Sequence, residues 1–377
     1  MPKKDVKKNL LDHSEAKVRL LGEYINRYLN IICNDGFTSK INVFDLFCGE
    51  GIYDDGGEGS PIVIMKAVKN VHYKNVARKA LKTKIDCHFN DLDKAKVAKT
   101  KKSISDKKLY YPAFGSLDFT SIDYKDLLSS LTTTLSKLDK EKAFIFIDPY
   151  EYKHIKISHI KISHIKDLMK NRKSEVLLWL PTQFMYRFEK NGTPTALKDF
   201  IEEIIPFEQW NQSKNVWSFV QELRNGFQDS MGKKFFVDNF TIQKDNNTVF
   251  CLFFFTSHIK GFEKMLESKW KIDTEEGKGW DYSGNLPSLF HEQKTNVLAE
   301  KLENYLESVG RTNGEIYEFT LRQGFLPKHT VEVFIDWQNT DKIDVVLENG
   351  SKARKKSFYI SYKNFKTEFS KVTIKIK

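Results

Sequence analysis

One segment in the first part of the chain constrains its fold more strongly than any other. Residues 41–44 form an apolar run that predicts a buried strand, and the chain continues from it into a glycine loop. The loop carries four spaced residues, namely Asp45, Phe47, Gly49 and Gly51. Glycines at this spacing let the backbone approach a ligand where a Cβ atom would clash, and in α/β enzymes such a strand end binds a nucleotide-like cofactor.

The residues that follow the loop argue against a dinucleotide. The third glycine of the fingerprint G-x-G-x-x-G is replaced by Asp54, and Asp55 follows it. Carboxylates there would repel a pyrophosphate, so NAD is disfavoured. S-adenosylmethionine (SAM) has no phosphate and fits better, and we expect the backbone NH groups of residues 49 and 51 to face its carboxylate. An ordinary strand-to-helix turn is the alternative interpretation.

Acidic residues also follow the next two predicted strands. The second strand is predicted at 86–90 and ends before Asp91, where an acidic residue typically binds ribose hydroxyls. Asp93 competes for this role, and an exposed helix cap is the alternative interpretation. A third strand is predicted at 110–114, and Asp118 lies beyond it, where we expect it to bind the adenine amino group. A plain turn residue is the alternative for Asp118.

The clearest strand pattern is the unbroken apolar run at 143–147. It predicts a strand covered on both faces, at the centre of a parallel sheet. The run ends in Asp148, Pro149 and Tyr150, which are related to the [DNS]-P-P-[YF] tetrapeptide of amino-methyltransferases. There the acid and a proline carbonyl accept hydrogen bonds from an exocyclic amino group, and the aromatic ring stacks on a flipped-out base. A base amino group is therefore one candidate acceptor, although this chain has one proline instead of two and departs from the tetrapeptide there. Helix capping by Asp148 is the alternative interpretation.

The order of the predicted elements indicates an α/β fold. Five alternating βα units precede two strands, predicted at 234–242 and 248–256, whose tight connection requires an antiparallel pair. This order predicts a Rossmann-like, seven-stranded class I methyltransferase sheet, because the sheet of a plain dehydrogenase lacks the final hairpin. The predicted divisions are an N-terminal helical segment at 1–40, a methyltransferase-like domain at 41–285 with an aromatic-rich insertion at 182–230, and a basic domain at 290–377.

The predicted secondary structure of residues 290–377 differs from the βα pattern that precedes it. Helices are predicted at 294–309, 313–323 and 328–338. A hairpin is then predicted from strands at 345–348 and 357–362 around Asn349-Gly350, a dipeptide typical of tight turns. Helices followed by a basic hairpin predict a C-terminal winged-helix-like α+β domain.

Charge indicates the class of partner. The net charge is +11, and lysine and arginine cluster: residues 66–108 hold fourteen of them against four acidic residues, and residues 352–377 hold nine against one. Such blocks favour nucleic acid as a partner, although solubility alone is the alternative interpretation. The longest apolar run, residues 249–255, is far too short to span a bilayer, so no membrane partner is expected.

The metal-ligating residue types lack the spacing of a metal site. The four cysteines, at positions 33, 48, 87 and 251, form no C-x-x-C pair, which argues against zinc and favours a reducing cytoplasm. His154, His159 and His164 are five residues apart within a repeated HIKIS segment. On a helix this spacing turns successive side chains about 140° away from one another, so they cannot share a metal on one face. A tandem duplication is the expected origin of the repeat.

Taken together, several of these segments resemble the three-Cys-motif partner protein (TcmP) family, which looks like SAM-dependent methyltransferases. The matching segments are His13 with Lys17, Leu20-Leu21 and Tyr24, then residues 45–53, Gly59-Ser60-Pro61, residues 146–150, residues 257–265 and Trp270-Lys271. The resemblance covers most of residues 13–281 and implies a partner that has a three-cysteine motif and looks like a radical-SAM protein. The chain departs from the family at Glu151, where members usually have glycine, and at Cys48-Gly49-Glu50-Gly51, where they often have Ala-Gly-Pro-Gly.

The sequence alone is compatible with three functions. The first is a SAM-dependent methyltransferase acting on nucleic acid, with Asp148 orienting the acceptor and Tyr150 stacking on it. The second is a non-catalytic adaptor with a methyltransferase fold that binds nucleic acid or a radical-SAM-like partner protein. The third is methylation of a protein or a small molecule.

Overall fold

The computed structural model divides the chain into two compact units. It describes residues 12–77, 83–149, 160–190, 195–206, 213–245, 247–281, 294–307 and 309–377. The first unit contains the described residues up to Gly261 together with residues 279–281. The second contains Phe262–Lys278 and the described residues from 294 to 377.

The first unit is organised around one mixed sheet of eight strands. The strands are β1 (Lys40–Asp45), β2 (Lys84–Asn90), β3 (Leu117–Thr120), β4 (Glu141–Ile147), β5 (Ser174–Leu180), β6 (Phe236–Asp245), β7 (Thr248–Thr256) and β8 (Gly279–Asp281). Their order in the sheet is β3-β2-β1-β4-β5-β7-β6-β8. Strands β1 to β5 are parallel, and β7 runs antiparallel to both of its neighbours. The predicted class I methyltransferase strand order is therefore confirmed, with an eighth strand added at the edge next to β6.

Helices connect and cover these strands, and the last of them continues into the second unit. They are α1 (Asp12–Ile32), α2 (Ser60–Ala77), α3 (Lys94–Asp106), α4 (Tyr124–Ser136), α5 (Ile162–Met169), α6 (Thr182–Lys190), α7 (Thr195–Glu202), α8 (Val216–Met231) and α9 (Ile259–Ile272). The core lies on both faces of β4, where Phe144, Ile145 and Phe146 are fully buried, as the unbroken apolar run predicted. No helix in the described ranges is long and apolar enough to cross a membrane.

The third strand lies further along the chain than predicted. Residues 110–114 form a turn, in which Phe114 N donates to Tyr111 O across 2.9 Å, and the strand is Leu117–Thr120. The prediction was wrong because the aromatic side chains of the turn produced an apolar signal without a strand. Phe114 is buried against the ring of His72, at 4.4 Å between centroids, whereas β3 is a half-exposed edge strand with little apolar signal.

The second unit has the element order of a winged helix-turn-helix domain. Its described elements after α9 are α10 (Lys294–Leu306), β9 (Arg311–Thr312), α11 (Asn313–Arg322), α12 (Pro327–Asn339), β10 (Ile343–Leu347), α13 (Tyr362–Thr367) and β11 (Val372–Ile376). The strands form an antiparallel sheet in the order β10-β11-β9. The predicted winged-helix architecture is confirmed. The helix α12 occupies the recognition position of this motif, and residues 348–371 are called the wing.

The predicted hairpin in this unit is only partly correct. Gly350 has a φ of +83°, and its NH donates to Leu347 O across 2.9 Å, so the chain turns at Asn349-Gly350 as expected. The returning segment makes only an isolated bridge between Val346 and Lys352. The strand that pairs with β10 along its whole length is β11, and residues 357–362 form no strand. The Asn-Gly dipeptide predicted the turn. It could not predict that the partner of β10 is β11, which lies further along the chain.

Candidate cofactor and active site

A cavity of about 590 Å³ opens at the carboxyl ends of the central strands of the first unit. The chain passes from β1 outward to β2 and β3 and then returns to β4 on the other side of β1, which makes the gap between β1 and β4 the topological switch point of the sheet. Ligands of open α/β sheets bind at such a point. The volume lies within the range of about 300–1,000 Å³ found for small-molecule sites.

The glycine loop after β1 forms one wall of this cavity. Gly49 and Gly51 have φ values of +64° and +76°, which disfavour residues with a side chain. A Cβ atom on Gly51 would lie 3.0 Å from Thr100 Oγ1 and 3.2 Å from Thr100 Cα. The loop is held in place because Thr100 Oγ1 donates to Gly49 O across 2.8 Å and Gly59 N donates to Gly51 O across 2.7 Å.

Asp45, at the end of β1, is fully buried. Its Oδ1 accepts a hydrogen bond from Phe47 N across 3.3 Å, whereas Oδ2 has no hydrogen-bond partner within the described part of the chain. Burial raises the pKa of this carboxyl to about 7, opposed by the Ser60 hydroxyl and reinforced by the negative charge of Asp148. A buried acceptor without a partner is rare in folded proteins. Asp45 itself does not line the cavity, whereas the predicted site residue Phe47 does.

Asp91 and Asp93 both line the cavity, and they have different partners. Asp91 Oδ2 accepts a hydrogen bond from Gly49 N across 3.1 Å, and its Oδ1 accepts one from Asp93 N across 2.9 Å. Asp93 caps α3, because its Oδ1 accepts from Ala95 N across 2.8 Å. Of the two residues, Asp91 is therefore the one joined to the glycine loop. The NH of Gly49 was expected to face a ligand carboxylate, but it donates to Asp91 instead.

Of Asp118 and Asp123, only Asp123 lines the cavity. Asp118 is on the edge strand β3 with 55% of its side chain exposed, pairs with His88 Nδ1 at 3.2 Å, and does not line the cavity. Asp123 does line the cavity, and its Oδ1 accepts from Lys125 N across 2.9 Å at the start of α4. The misplaced third strand explains why the sequence pointed to Asp118: the residues at the carboxyl end of the true strand come after Thr120.

Asn90 joins the ends of three neighbouring strands. Its Nδ2 donates to Leu46 O across 3.3 Å and to Ile122 O across 3.0 Å, and its Oδ1 accepts from Ile122 N across 3.0 Å. These bonds hold together the segments that follow β1 and β3 on either side of β2. No local pattern indicated this role, since an asparagine at a strand end is a common turn residue.

Asp148 follows β4 on the other side of the switch point and also lines the cavity. Its Oδ2 accepts a hydrogen bond from Lys17 Nζ of α1, and the two side chains are 12% and 9% exposed. The same Nζ lies 4.9 Å from the centroid of the Trp179 ring on β5. Pro149 is buried. Tyr150 lies outside the described residues, so the predicted stacking role stays a prediction.

Most of the HIKIS repeat also lies outside the described residues, including His154 and His159. His164 lies on α5, and its ring centroid is 6.4 Å from that of Tyr124. In the described ranges, no three His, Cys, Asp or Glu residues are grouped in a way that could hold a metal ion. Burial raises the pKa of the Cys48 thiol, which disfavours the thiolate form that binds metals.

Comparisons with known proteins bear on the two units separately. Residues 273–350 match a family model described as a GMT-like wHTH domain. The comparison with curated proteins gave no match. Among solved structures, the chain is similar to protein LPL1258 from Legionella pneumophila, with 12% identity over 64% of this chain and 85% of that one and a TM-score of 0.35.

Two O-methyltransferases are similar at the same level. The enzyme from Bacillus cereus in complex with SAH has 11% identity over 62% of this chain and 79% of that one, with a TM-score of 0.31. TomG from Streptomyces achromogenes in complex with SAM has 9% identity over 62% of this chain and 79% of that one, with a TM-score of 0.33. The class I methyltransferase fold of the first unit therefore rests on its own strand order, and the winged helix of the second on its element order and the family match.

Proposed function

We propose that the protein is a SAM-dependent methyltransferase that acts on nucleic acid. The observation that carries this proposal is the cavity at the switch point of a class I methyltransferase sheet, lined by a glycine loop and by Asp91, Asp93 and Asp123. Three carboxylates on one side of the cavity disfavour a dinucleotide, whose phosphates they would repel. They suit a ligand that offers hydroxyl and amino donors and a positive charge.

The residues present fit SAM. Asp91 is placed to accept hydrogen bonds from ribose hydroxyls, because each of its oxygens uses one lone pair on the backbone and retains another. Asp123 replaces Asp118 as the candidate for the adenine amino group, since only Asp123 lines the cavity. The glycine loop gives the methionine part close access to the backbone. When bound, SAM supplies a methyl group on a positively charged sulfur.

The nucleic-acid part of the proposal is supported by the second unit. Winged-helix domains are a common nucleic-acid-binding architecture, and the wing carries exposed Arg354, Lys355, Lys356, Lys363 and Lys366. By contrast, the helix in the recognition position exposes Glu332 and Asp336. The distribution of charge therefore favours the wing as the element that contacts phosphates.

Calorimetry and methyl transfer together test the proposed function. SAM is expected to bind the full-length chain with one site per molecule, and NAD at the same concentration is expected to give no heat of binding. Incubation with methyl-labelled SAM and cellular nucleic acid should then transfer label to acid-precipitable material. Failure of SAM to bind the wild-type chain would overturn the proposal at its first step.

A second candidate function is favoured by one observation. Asp148 Oδ2 already accepts a hydrogen bond from Lys17 Nζ, so fewer lone pairs are left to orient an acceptor than in an unpaired carboxylate. A non-catalytic adaptor that retains SAM binding and holds nucleic acid, or the three-Cys-motif partner implied by the resemblance, would tolerate such a pair. SAM binding without transfer to any nucleic acid would favour this adaptor over the methyltransferase.

A further inference from the structure

Lys17 is placed at the reactive end of the cavity. Asp91 and Asp123 follow β2 and β3, whereas Asp148 follows β4 and the ammonium of Lys17 lies between Asp148 and Trp179 of β5. If the carboxylates after β2 and β3 hold the adenosine part, as the proposed function requires, the methyl-bearing sulfur lies on the side of Lys17. The groups around Lys17 then indicate the chemical class of the methyl acceptor, an inference that rests on the proposed function.

The ammonium group of Lys17 is fixed in this position. It is buried between the carboxylate of Asp148 and the face of the Trp179 indole, at 4.9 Å from the ring centroid. Two different attractions, an ion pair and a cation–π contact, hold it where little water reaches. Lys17 also acts on the carboxyl of Asp45, whose pKa its positive charge lowers slightly against the large rise from burial. Lys17 is thus the cation of a small charged group that also contains Asp45 and Asp148.

A fixed cation at this end discriminates between acceptor chemistries. The ammonium can only donate hydrogen bonds, and an amino nitrogen that accepted one would give up the single lone pair with which it must attack the methyl carbon, whereas a hydroxyl oxygen has a second lone pair. A hydroxyl group must lose its proton to attack, so its oxygen becomes negatively charged, and the same ammonium stabilises it. An ammonium has three N–H donors, of which Asp148 accepts one. We infer that the acceptor is a hydroxyl group and that Lys17 is the residue that holds its oxygen.

The step balances with the groups named. The acceptor oxygen receives a hydrogen bond from Lys17 and gives its proton to water. It forms a new bond to the methyl carbon, while the electron pair of the broken sulfur–carbon bond stays on the sulfur. The products are a methyl ether, a neutral thioether and one released proton. Asp148 remains ionised and keeps the Lys17 ammonium in position, which makes Asp148 a positioning residue and Lys17 a catalytic residue.

In a nucleic acid, this chemistry identifies one class of substrate. Internal nucleotides of DNA carry no hydroxyl group, whereas each internal nucleotide of RNA carries the ribose 2′-hydroxyl. The inferred substrate is therefore RNA, and the inferred product is a 2′-O-methylated ribose. The related tetrapeptide of amino-methyltransferases suggested a base amino group, and the Lys17–Asp148 pair argues against that acceptor.

The wild-type protein provides the decisive test, because the identity of the product does not depend on any variant folding. Total RNA and total DNA from the source organism are incubated separately with methyl-labelled SAM and the full-length chain. Label is expected in RNA alone and, after alkaline hydrolysis, in dinucleotides that resist cleavage because the 2′-oxygen is blocked. Label on a base or in DNA would overturn the hydroxyl inference and leave the proposed function intact. No label in either pool, with SAM binding retained, would overturn both.

Variants of the ion pair test the role of Lys17 itself. Lys17→Met is expected to reduce transfer at least roughly 100-fold, the scale for losing one donor to a developing oxyanion, while the Kd for SAM changes by less than about threefold. Lys17→Arg keeps the charge and the donors and is expected to recover part of the rate.

A stability measurement separates catalysis from folding. Lys17→Met leaves Asp148 buried without its cation, so a lower melting temperature is expected. The double variant Lys17→Met with Asp148→Asn removes both charges and is expected to recover the melting temperature without recovering transfer. Recovery of transfer by this double variant would show that Lys17 serves only the structure, and it would overturn the assignment.

Discussion

The backbone NH of Gly49 donates a hydrogen bond to Asp91 Oδ2 across 3.1 Å and so ties the glycine loop after β1 to the end of β2. The bond joins residues 42 positions apart in the sequence. It orients a carboxylate into the cavity and at the same time fixes the loop that forms its wall. The candidate cofactor site is therefore assembled from two strand ends that hold each other in place.

Asp91→Ala is expected to weaken SAM binding. The variant removes an ionised acceptor for the ribose and the anchor of the loop, and hydrogen bonds to charged groups contribute about 1.5–3 kcal/mol, so the Kd should rise roughly 10-fold to 100-fold. Calorimetry at constant salt measures the change. Asp106→Ala is the matched control, because Asp106 is an exposed aspartate at the end of α3 that pairs with Lys102 and does not line the cavity. Equal Kd values for the two variants would contradict the role of Asp91.

Gly51→Ala is expected to destabilise the protein and to abolish SAM binding. Its φ of +76° is unfavourable for alanine, and the new Cβ would lie 3.2 Å from Thr100 Cα, an atom that cannot move aside alone. Gly56→Ala is the matched control, because Gly56 is exposed and has a φ of +83°, and an added Cβ would meet no atom within 4 Å. Both variants should lose about 1 kcal/mol to backbone strain, and only Gly51→Ala should lose more. Thermal unfolding with and without SAM measures the difference.

Asp123→Ser is expected to weaken SAM binding without unfolding α4. Serine can still accept the hydrogen bond from Lys125 N and so keeps the cap, while the carboxylate is removed from the cavity. The same substitution at Asp118 should leave the Kd unchanged, since Asp118 lies on the exposed edge strand. A larger effect at Asp118 than at Asp123 would restore the original sequence-based assignment.

The sequence predicted those site residues whose positions follow from the pattern of neighbouring residues in the chain. It did not predict those whose positions depend on distant segments. Gly49, Asp91 and Asp148 lie at the ends of strands that have strong apolar patterns, so their shared edge followed from the parallel order. Asp123 was missed because β3 is a weak edge strand and the aromatic turn before it resembled one. The pairing of Lys17 with Asp148 could not be predicted, since it joins residues 131 positions apart and depends on how α1 packs on the sheet.

Glu175 should make the stability of the protein depend on pH. It is buried on β5, where it accepts hydrogen bonds from Tyr24 Oη and Thr256 Oγ1, and burial raises its pKa to about 7. A carboxyl whose folded-state pKa is raised stabilises the fold fully below its unfolded pKa, near 4.3, and that contribution is lost as the pH rises through about 7. The loss attributable to Glu175 amounts to at most about 4 kcal/mol.

Glu175→Gln is therefore expected to flatten the fall in the free energy of unfolding between about pH 4 and pH 7. Part of the fall should remain, because the pKa of Asp45 is raised by burial in the same direction. Urea unfolding at several pH values measures the slope. Asp139→Asn is the control, because 90% of the Asp139 side chain is exposed, and its profile should follow the wild type. A wild-type slope in Glu175→Gln would show that Glu175 does not titrate in this range.

The wing, rather than the recognition-position helix α12, is expected to supply most of the phosphate contacts. The triple variant Arg354→Ala, Lys355→Ala and Lys356→Ala removes three adjacent exposed cations from the wing. If all three contact single-stranded phosphates, the slope of log K against log salt should become less negative by about 2. Filter binding of the full-length chain to a single-stranded RNA at several salt concentrations measures this slope.

Lys328→Ala on α12 is the matched control for the wing. It also removes an exposed cation, but Lys328 shares its helix with the exposed acidic residues Glu332 and Asp336, which repel phosphates. Its effect on the slope should therefore be well below the value of about 0.7 expected for one complete phosphate contact. If Lys328→Ala instead changed the slope by that full value while the triple variant left it unchanged, the nucleic acid would lie on α12, contrary to the charge argument.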